Sequence, residues 1–316
     1  MSFSLNPEIA EGLAALDEKF GEVESMAVGD VVRRRAVYDD LQRVILTQLP
    51  TPDDVTITDF KTTASDGEQL LLRWYAKKES NPGSAALYMH GSGMICSSVD
   101  IYDVPVARYV SATGVPILSV AYRKAPEFPA PIPVTDAYVG LQWLVRHASE
   151  LGVDPDRIAV MGDSGGGGVA ASLAIYARDH GGPAIAKQIL IYPMLDDRNT
   201  TPDPELTPFT PWTYDDNITG WGALLGSKVG GPDVSPYGAA ARLDDFTGLP
   251  PAYLEVGELD IFRDECIAYA QGLLAAAVST ELHVHPAVPH AFEAFVPTAE
   301  ISRRSAEDRH RVLNAL

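Results

Sequence analysis

Short apolar runs alternate with amphipathic helical patterns along most of this 316-residue chain, and this alternation limits the possible fold more than any other feature. Eight runs rich in apolar and β-branched residues are typical of strands. They begin at Val55, Leu70, Ala85, Ile117, Arg157, Gln188, Ala252 and Glu281. Helical patterns over residues 134–151, 168–180 and 263–277 lie between the later runs. Strands separated by helices predict an α/β fold.

The strand runs are of two kinds. The first two, VTITDF at Val55 and LLLRWYA at Leu70, alternate apolar with polar residues, as strands at an antiparallel edge do. The later runs are continuously apolar, which suits parallel strands covered on both faces. Right-handed crossovers between such strands would place helices on both sides. We therefore expect an eight-stranded, mostly parallel sheet with helices on both faces.

Two segments do not follow the alternation. Residues 1–45 read as helices ahead of the sheet, and residues 197–226 form an insertion rich in proline and aromatic residues after the sixth strand. Loops at the carboxyl ends of strands carry function in open α/β sheets, so we expect both segments to cap a site, with simple surface packing as the alternative. The predicted organisation is a helical cap segment at 1–45 and an α/β domain at 46–316 that contains a cap insertion at about 197–226.

Composition and the N-terminal sequence limit the binding partners and the cellular compartment that we expect for this chain. The formal net charge of −19 argues against a nucleic-acid partner, because an acidic surface repels the phosphate backbone. The sequence contains no apolar run of about 18 residues that would predict a membrane span. The N-terminus has early acids and lacks the basic start and apolar run of a secretory signal, so we expect a cytoplasmic protein. Cys96 and Cys266 lie far apart and are expected to be buried free thiols.

The sequence Gly162-Asp163-Ser164-Gly165-Gly166 follows the strand IAVM and opens a helical run. It matches the G-x-S-x-G pattern of a strained strand-to-helix turn that exposes a nucleophilic serine, where flanking glycines prevent collisions. We therefore predict that Ser164 is a nucleophile. The alternatives are an inert glycine turn and a phosphate-binding loop at 165–168, and the second is disfavoured because no lysine stands near it.

A second glycine motif, His90-Gly91-Ser92-Gly93, ends the strand AALYMH. An HGGG-type element in this place supplies backbone amides to the oxyanion of an acyl-transfer reaction. We predict the N–H groups of Gly91, Ser92 and Gly165 as the oxyanion hole, with an ordinary glycine loop as the alternative for the first two. His90 is expected to fix the loop rather than to act as a base, because a base needs direct reach to the nucleophile.

The remaining catalytic groups should follow in the order acid, then histidine. Asp260 follows the strand AYLEVG, and His290 follows ELHVHP. A serine hydroxyl needs a base to take its proton and a carboxylate to orient that base, so we predict His290 as base and Asp260 as its partner. Glu258 is the alternative acid.

We predict structural roles for the other titratable residues in and near these elements. His283 and His285 lie within the last predicted strand and are not expected to act as base; we expect one ring to face the interior and the other the exterior. Asp264 and Glu265 are expected to serve the N-terminal turn of the next helix. His147 and His180 end helices, where they complement the dipole.

With these residues in place, the chain resembles the hormone-sensitive-lipase-like family of carboxylesterases. The likeness runs from about residue 85 to 295 and includes HGSG at His90, AYRKAPEFPAPIPVTDAY at Ala121, DPDRIAVMGDSGGG at Asp154, GELDIFRDECIAYAQGLLAAAV at Gly257, and PHAF around His290. The family usually shows HGGG and GDSAGG, so Ser92 and Gly165 depart from its pattern without removing a backbone donor. The resemblance implies an α/β-hydrolase fold, a helical cap formed by the N-terminal helices and the insertion, no metal or organic cofactor, and a homodimer.

The function expected from the motifs and the resemblance is serine carboxylesterase activity on small-molecule esters through an acyl-enzyme. We expect a preference for short acyl chains, because a capped pocket would limit their length. An amide or lactone hydrolase with the same triad is the first alternative, since the same groups serve acyl transfer in general. A non-catalytic ligand receptor is the second, because the plant gibberellin receptors resemble this family without a working histidine.

Overall fold

The computed structural model describes residues 3–21 and 24–316, and its centre is a sheet of eight strands. Their spatial order is β1-β2-β4-β3-β5-β6-β7-β8. Each strand begins within one residue of its predicted start. The strands are β1 (Val55–Thr63), β2 (Gln69–Lys77), β3 (Ala85–Met89), β4 (Ile117–Val120), β5 (Ile158–Asp163), β6 (Lys187–Ile191), β7 (Ala252–Gly257) and β8 (Thr280–His285).

The direction of the strands follows their apolar patterns. β1 pairs antiparallel with β2, and β2 pairs antiparallel with β4. Every other pairing, from β4–β3 to β7–β8, is parallel. The half-exposed residues of β1 and the fully buried residues of β3, β5 and β7 explain why only the first strands alternate. The prediction of a mostly parallel sheet with an antiparallel edge is confirmed.

Helices cover the sheet and add two segments to it. In the described ranges they are α1 (Pro7–Phe20), α2 (Val31–Ile45), α3 (Asp103–Thr113), α4 (Ile132–His147), α5 (Gly165–Asp179), α6 (Tyr214–Leu225), α7 (Arg263–Ala275), α8 (Phe292–Phe295) and α9 (Glu300–Asn314). The three helices predicted within the alternation correspond to α4, α5 and α7. Cys96 and Cys266 are buried free cysteines, as predicted.

Two side-chain contacts show that helices lie on both faces of the sheet. The Tyr269 hydroxyl on α7 bonds to Gln188 on β6, and Arg309 on α9 bonds to Glu255 on β7. Gln188 is in register with Ala252, three residues before Glu255, so the two contacted side chains project from opposite faces. The predicted double covering of the sheet is therefore confirmed.

The segments outside the alternation contact each other. α1 and α2 lie in the predicted segment 1–45, of which residues 1, 2, 22 and 23 are outside the described residues. α6 lies in the predicted insertion 197–226. Arg34 on α2 is fully buried, and its Nε donates to Asp216 Oδ1 on α6 at 2.8 Å. The Tyr38 hydroxyl donates to the other oxygen of the same carboxylate at 2.7 Å. These buried contacts join the two segments into one layer.

Candidate active site

Ser164 occupies a sharp turn between β5 and α5, where the motif predicts it. Its φ of 54° and ψ of −124° lie in a region that non-glycine residues seldom adopt, so the turn is strained. The flanking glycines permit this turn. A Cβ on Gly162 would lie 2.3 Å from the Gly166 carbonyl oxygen, and a Cβ on Gly166 would lie 2.1 Å from the Met89 carbonyl oxygen. Larger residues at these two positions would displace the turn.

The structure brings the three predicted triad residues together. His290 Nε2 lies 3.0 Å from Ser164 Oγ, and His290 Nδ1 lies 2.6 Å from Asp260 Oδ2. All three residues are buried, and Asp260 is fully so. Because Nδ1–H donates to the carboxylate, Nε2 is left unprotonated and can accept the serine proton. The arrangement can therefore deliver an alkoxide-like nucleophile at a buried site.

Further contacts fix the Asp260 carboxylate and the His290 ring. Asp260 Oδ1 accepts from the Phe262 N–H at 2.9 Å, which fixes the carboxylate. The rings of Tyr192 and Phe262 pack edge-on against His290, with centroids 4.7 and 5.1 Å away. Edge-on aromatic packing restricts the plane of the imidazole. Neither aromatic residue was among the predicted site residues, because their approach depends on tertiary packing.

The alternative acids have other partners. Glu258 Oε2 accepts from the Ala287 N–H at 2.8 Å and so anchors the loop that leads to His290. Asp264 pairs with Arg263 at the surface. Glu265 lies in the first turn of α7, as predicted, and its side chain also accepts from the Leu195 N–H at 2.6 Å, at the start of the segment after β6. Of these carboxylates, Asp260 is the one that contacts the imidazole.

The predicted oxyanion donors lie in and around the loop after β3. Ser92 and Gly93 both have positive φ, 87° and 60°. A Cβ on Gly165 would lie 2.8 Å from the Gly93 nitrogen, so the loop closely approaches the start of α5. Gly91 instead packs against Tyr102, because a Cβ on Gly91 would lie 2.8 Å from the Tyr102 hydroxyl oxygen. Gly93 is thus a further candidate donor that the sequence prediction did not include, although it stands in the same HGSG motif.

His90 and Asp163 make buried contacts that support the loop after β3. His90 Nδ1 bonds to the Gly91 carbonyl oxygen at 3.0 Å, and the ring stacks on Tyr122 with centroids 4.6 Å apart. Burial lowers the pKa of His90 to about 3, so the ring is neutral at pH 7. Asp163 accepts from the hydroxyls of Tyr88 and Tyr102, and burial raises the pKa of this carboxyl despite those bonds. The expectation that His90 is a fixing residue agrees with these contacts.

A buried ion-pair network lies next to His290. Arg309 Nε donates to Glu255 Oε1 at 2.7 Å, and Arg309 Nη1 lies 2.8 Å from Glu293 Oε1. The Tyr192 hydroxyl donates to the same oxygen of Glu293 at 2.6 Å. Burial disfavours ionisation of Glu255, but the Arg309 guanidinium outweighs this effect and the pKa of Glu255 falls to about 2. Through Tyr192, this network supports the wall against which the imidazole packs.

Ser164 and His290 open onto a cavity of about 1380 Å³. Its lining includes Leu13 from α1 and both Phe209 and Trp212 from the insertion. The structure thus places the two segments outside the alternation against the site. The volume exceeds the range of about 300–1,000 Å³ usual for small-molecule pockets. The expected preference for short acyl chains assumed that a capped pocket would limit their length. A cavity of this volume does not by itself impose such a limit.

The two histidines of β8 share one face, which contradicts the expectation that they face opposite sides. Their ring centroids lie 6.0 Å apart, because residues two positions apart on a strand project to the same side. His283, Glu281 and Asp308 form the one group of metal-ligand type found within the described ranges. Arg311 Nη2 already bonds to both of these carboxylates, so the group is an ion-pair cluster between β8 and α9.

Comparison with known proteins places this geometry in a family. A family profile described as alpha/beta hydrolase fold matches residues 86–294. The carboxylesterase NlhH of Mycobacterium tuberculosis is 36% identical over 299 residues, which cover 87% of this chain and 90% of that protein. The chain belongs to the hormone-sensitive-lipase-like family of α/β-hydrolases. The predicted fold and the predicted family are both confirmed.

Two further members of the α/β-hydrolases show how far the likeness extends. The ethyl acetate hydrolase of Pseudomonas putida is 30% identical over 297 residues, covering 92% of each chain. The solved structure of a bacterial heroin esterase is 36% identical with a TM-score of 0.88, covering 99% of this chain and 98% of that one.

Among residues 3–21 and 24–316, no helix combines the length and the apolar character needed to cross a membrane.

Proposed function

We propose that this chain is a serine carboxylesterase in which Ser164, His290 and Asp260 form the catalytic triad. The observation that carries the proposal is the continuous hydrogen-bonded path from Ser164 Oγ through both nitrogens of His290 to Asp260 Oδ2. Membership in a family whose similar members are named carboxylesterase and ethyl acetate hydrolase makes an ester the appropriate substrate. It is an ester-hydrolysing enzyme of the α/β-hydrolase family.

The first half of the reaction forms the acyl-enzyme. Ser164 Oγ attacks the ester carbonyl carbon while its proton passes to His290 Nε2, and the imidazolium is stabilised by Asp260. The tetrahedral intermediate then collapses, the bond to the alcohol oxygen breaks, and His290 returns its proton to the leaving alkoxide. The alcohol departs, and the acyl group stays bound to Ser164 Oγ. In the second half, water gives a proton to His290 and attacks the acyl carbon, the bond to Ser164 Oγ breaks, and His290 returns the proton to Ser164 Oγ as the acid departs.

The oxyanion that forms in each half needs preorganised donors. Gly165 offers the first N–H of α5, next to the nucleophile. Ser92 and Gly93 lie in the loop that closely approaches Gly165, which supports their amides as the second and third donors. Gly91 stays a predicted donor, but it packs against the Tyr102 hydroxyl and the Asp163 carboxylate, whereas Gly93 packs against Gly165 beside the nucleophile. We therefore assign Gly93 a larger share of the oxyanion than Gly91.

The organisation of the chain follows from the same site. We infer that residues 46–316 form the catalytic domain and that the segment 1–45 and the insertion at about 197–226 cap it. The support is the lining of the cavity by Leu13 from the first segment and Trp212 from the second. A cap shared by two segments would exclude water and shape the substrate pockets.

The substrate class is small-molecule esters. A cavity of about 1380 Å³ accommodates bulky alcohol groups as well as short acyl groups. One similar solved structure is named a heroin esterase and one similar relative an ethyl acetate hydrolase, and both names denote ester substrates. Homodimer formation and a cytoplasmic location stay predictions, and light scattering after gel filtration would test the first.

Rates of p-nitrophenol release from acetate, butyrate and decanoate esters test the proposal. The native chain should hydrolyse at least one of them, and Ser164→Ala should lose nearly all of that activity. Equal rates for both proteins would remove Ser164 from the mechanism. A matched ester and anilide pair separates an esterase from an amidase, because an amide requires protonation of a poorer leaving group. Faster cleavage of the anilide would favour the amidase alternative.

A further inference from the structure

The loop at residues 92–97, which we call the oxyanion loop, has an unusual backbone. Positive φ values occur at Ser92 (87°), Met94 (61°) and Ser97 (68°), in addition to Gly93. Non-glycine residues in the left-handed region are strained, and they persist when the surrounding structure holds them. The loop also carries the Ser92 amide, which is one of the proposed oxyanion donors. Whatever holds this loop therefore sets the position of a catalytic group.

One face of α2 supplies most of the side chains that hold it. Arg35, Asp39 and Gln42 are spaced by four and three residues, so they project from the same side of the helix. Arg35 Nε donates to the carbonyl oxygen of Ile95 at 2.5 Å. Asp39 Oδ1 accepts from the N–H of Ser97 at 2.6 Å. Two of the three side chains thus satisfy main-chain groups of the oxyanion loop.

The third side chain contacts the residue that departs from the family pattern. Gln42 Nε2 donates to Ser92 Oγ, and Ser92 stands where the resembled family usually has glycine. Glycine would adopt a φ of 87° without strain, whereas the Cβ of serine makes this backbone conformation unfavourable. What serine adds is a hydroxyl, and that hydroxyl bonds to Gln42. Ser92 is 5% exposed, so this bond lies inside the protein beside the catalytic cavity.

We propose that Gln42 is a positioning residue, which holds the Ser92 amide toward the oxyanion through its hydrogen bond to the Ser92 side chain. This inference rests on the proposed function, because it assigns Ser92 a role in stabilising the ester's tetrahedral intermediate. Gln42 does not touch the reacting atoms in this role. The bond offsets the strain at Ser92 and selects the backbone orientation that points its N–H into the site.

α2 is itself firmly placed, which makes it an effective support. Arg34 and Tyr38, which immediately precede Arg35 and Asp39 and lie on the neighbouring face of α2, both bond to the buried Asp216 of α6. The Gly29 N–H donates to Thr219 Oγ1 at 2.9 Å, which adds a contact between the start of this helix region and α6. The proposed cap segment therefore does more than cover the cavity, because its second helix is part of the scaffold of the oxyanion hole.

Four variants test the proposal with p-nitrophenyl acetate, a substrate too small to depend on the outer cavity. Gln42→Ala should lower kcat about tenfold with KM changed less than about twofold, a smaller loss than the 10²–10³ expected when a whole donor is removed. Ser92→Ala removes the hydroxyl but keeps the strained Cβ, so it should match Gln42→Ala. Ser92→Gly relieves the strain and should stay within about threefold of the native kcat.

The decisive variant is the double substitution Gln42→Ala with Ser92→Gly. In the glycine background, loss of Gln42 should lower kcat by less than about twofold, because no strained serine needs support. A tenfold loss that persists there would show that Gln42 acts by another route, and the proposal would be wrong. An unchanged kcat in Gln42→Ala, or an effect on KM alone, would also overturn it.

Two controls separate this inference from its foundations. Arg33→Ala removes an exposed ion pair with Glu24 from the same helix and should leave kcat unchanged. Thermal unfolding of every variant shows whether α2 is still docked. If the native chain shows no Ser164-dependent hydrolysis, the proposed function fails. If native hydrolysis depends on Ser164 but not on Gln42, the proposed function stands and the positioning role fails.

Discussion

Substitution of Gly165 by alanine should damage catalysis, although the resembled family usually has alanine at this place. The added Cβ would lie 2.7 Å from the Met94 nitrogen, 2.8 Å from the Gly93 nitrogen and 2.9 Å from the Gly93 Cα. All three neighbours are main-chain atoms, so no side chain can rotate away. The oxyanion loop as a whole would have to retreat from the start of α5.

The size of that retreat sets the expected loss. Ordinary contact begins at 3.4 Å, so the closest pair must separate by about 0.7 Å. An oxyanion donor placed at about 2.9 Å would then lie near 3.6 Å, beyond effective hydrogen-bond range. Loss of one such donor lowers kcat by about 10²–10³, equivalent to about 3–4 kcal/mol of transition-state stabilisation. We expect Gly165→Ala to fall in this range with little change in KM.

Steady-state kinetics with p-nitrophenyl acetate measure the effect, and a matched glycine provides the control. Gly222 lies within α6, and a Cβ there would meet no atom within 4 Å. Gly222→Ala should therefore keep full activity and gain up to about 1 kcal/mol of stability, because alanine favours the helix. Gly165→Ala with a native kcat would refute the reasoning, since the oxyanion loop would then move without cost or its amides would have no role.

Three further predictions concern the acid, the buried network and the cap. Asp260→Asn should lower kcat by roughly 10⁴ by disturbing the histidine tautomer, whereas Glu258→Gln should largely keep kcat; steady-state kinetics would reassign the acid if this order were reversed. Glu255→Gln should lower the free energy of unfolding at pH 7 by about 3 kcal/mol, because Arg309 loses a buried anion. The pKa of Glu255 is depressed from 4.5 to about 2, so its contribution to stability is complete above pH 4.5 and is lost as the pH falls towards 2. The free energies of unfolding of the native and variant chains, measured with urea across this pH window, should therefore converge at low pH. A constant difference between them would contradict the assignment. Arg34→Met leaves the carboxylate on α6 buried without its cation and should cost about 3–5 kcal/mol, measured by urea unfolding, with faster amide exchange in α6; unchanged exchange would mean that the contact does not hold the cap.

Local patterns were sufficient for the sheet and for the placement of the motifs. Period-two alternation in β1 and β2 and continuous apolar runs in the later strands report directly on burial, so strand starts and directions could be predicted. The strand-to-helix turn at Ser164 and the loops that carry Asp260 and His290 follow from that layout. The expectation for His283 and His285 is wrong because residues two positions apart on a strand project to the same face.

The interactions that complete the site are long-range, and no local pattern reveals them. Arg309 meets Glu255 across 54 positions, and Arg34 meets Asp216 across 182. Each pair looks like ordinary surface charge in the sequence, yet each is buried in the fold. Which amide of the HGSG motif faces the substrate also depends on how closely the loop approaches α5, a distance that only the three-dimensional structure supplies.

Covalent labelling tests the central claim most directly. A fluorophosphonate requires an activated serine and leaves a stable adduct, which peptide mass spectrometry can locate. We predict one adduct on the native chain, placed on Ser164, with none on Ser164→Ala and much slower labelling of His290→Ala. An adduct on another residue would contradict the assignment of Ser164 as nucleophile. The same holds if the chain hydrolyses esters while Ser164 stays unlabelled in the presence of excess reagent.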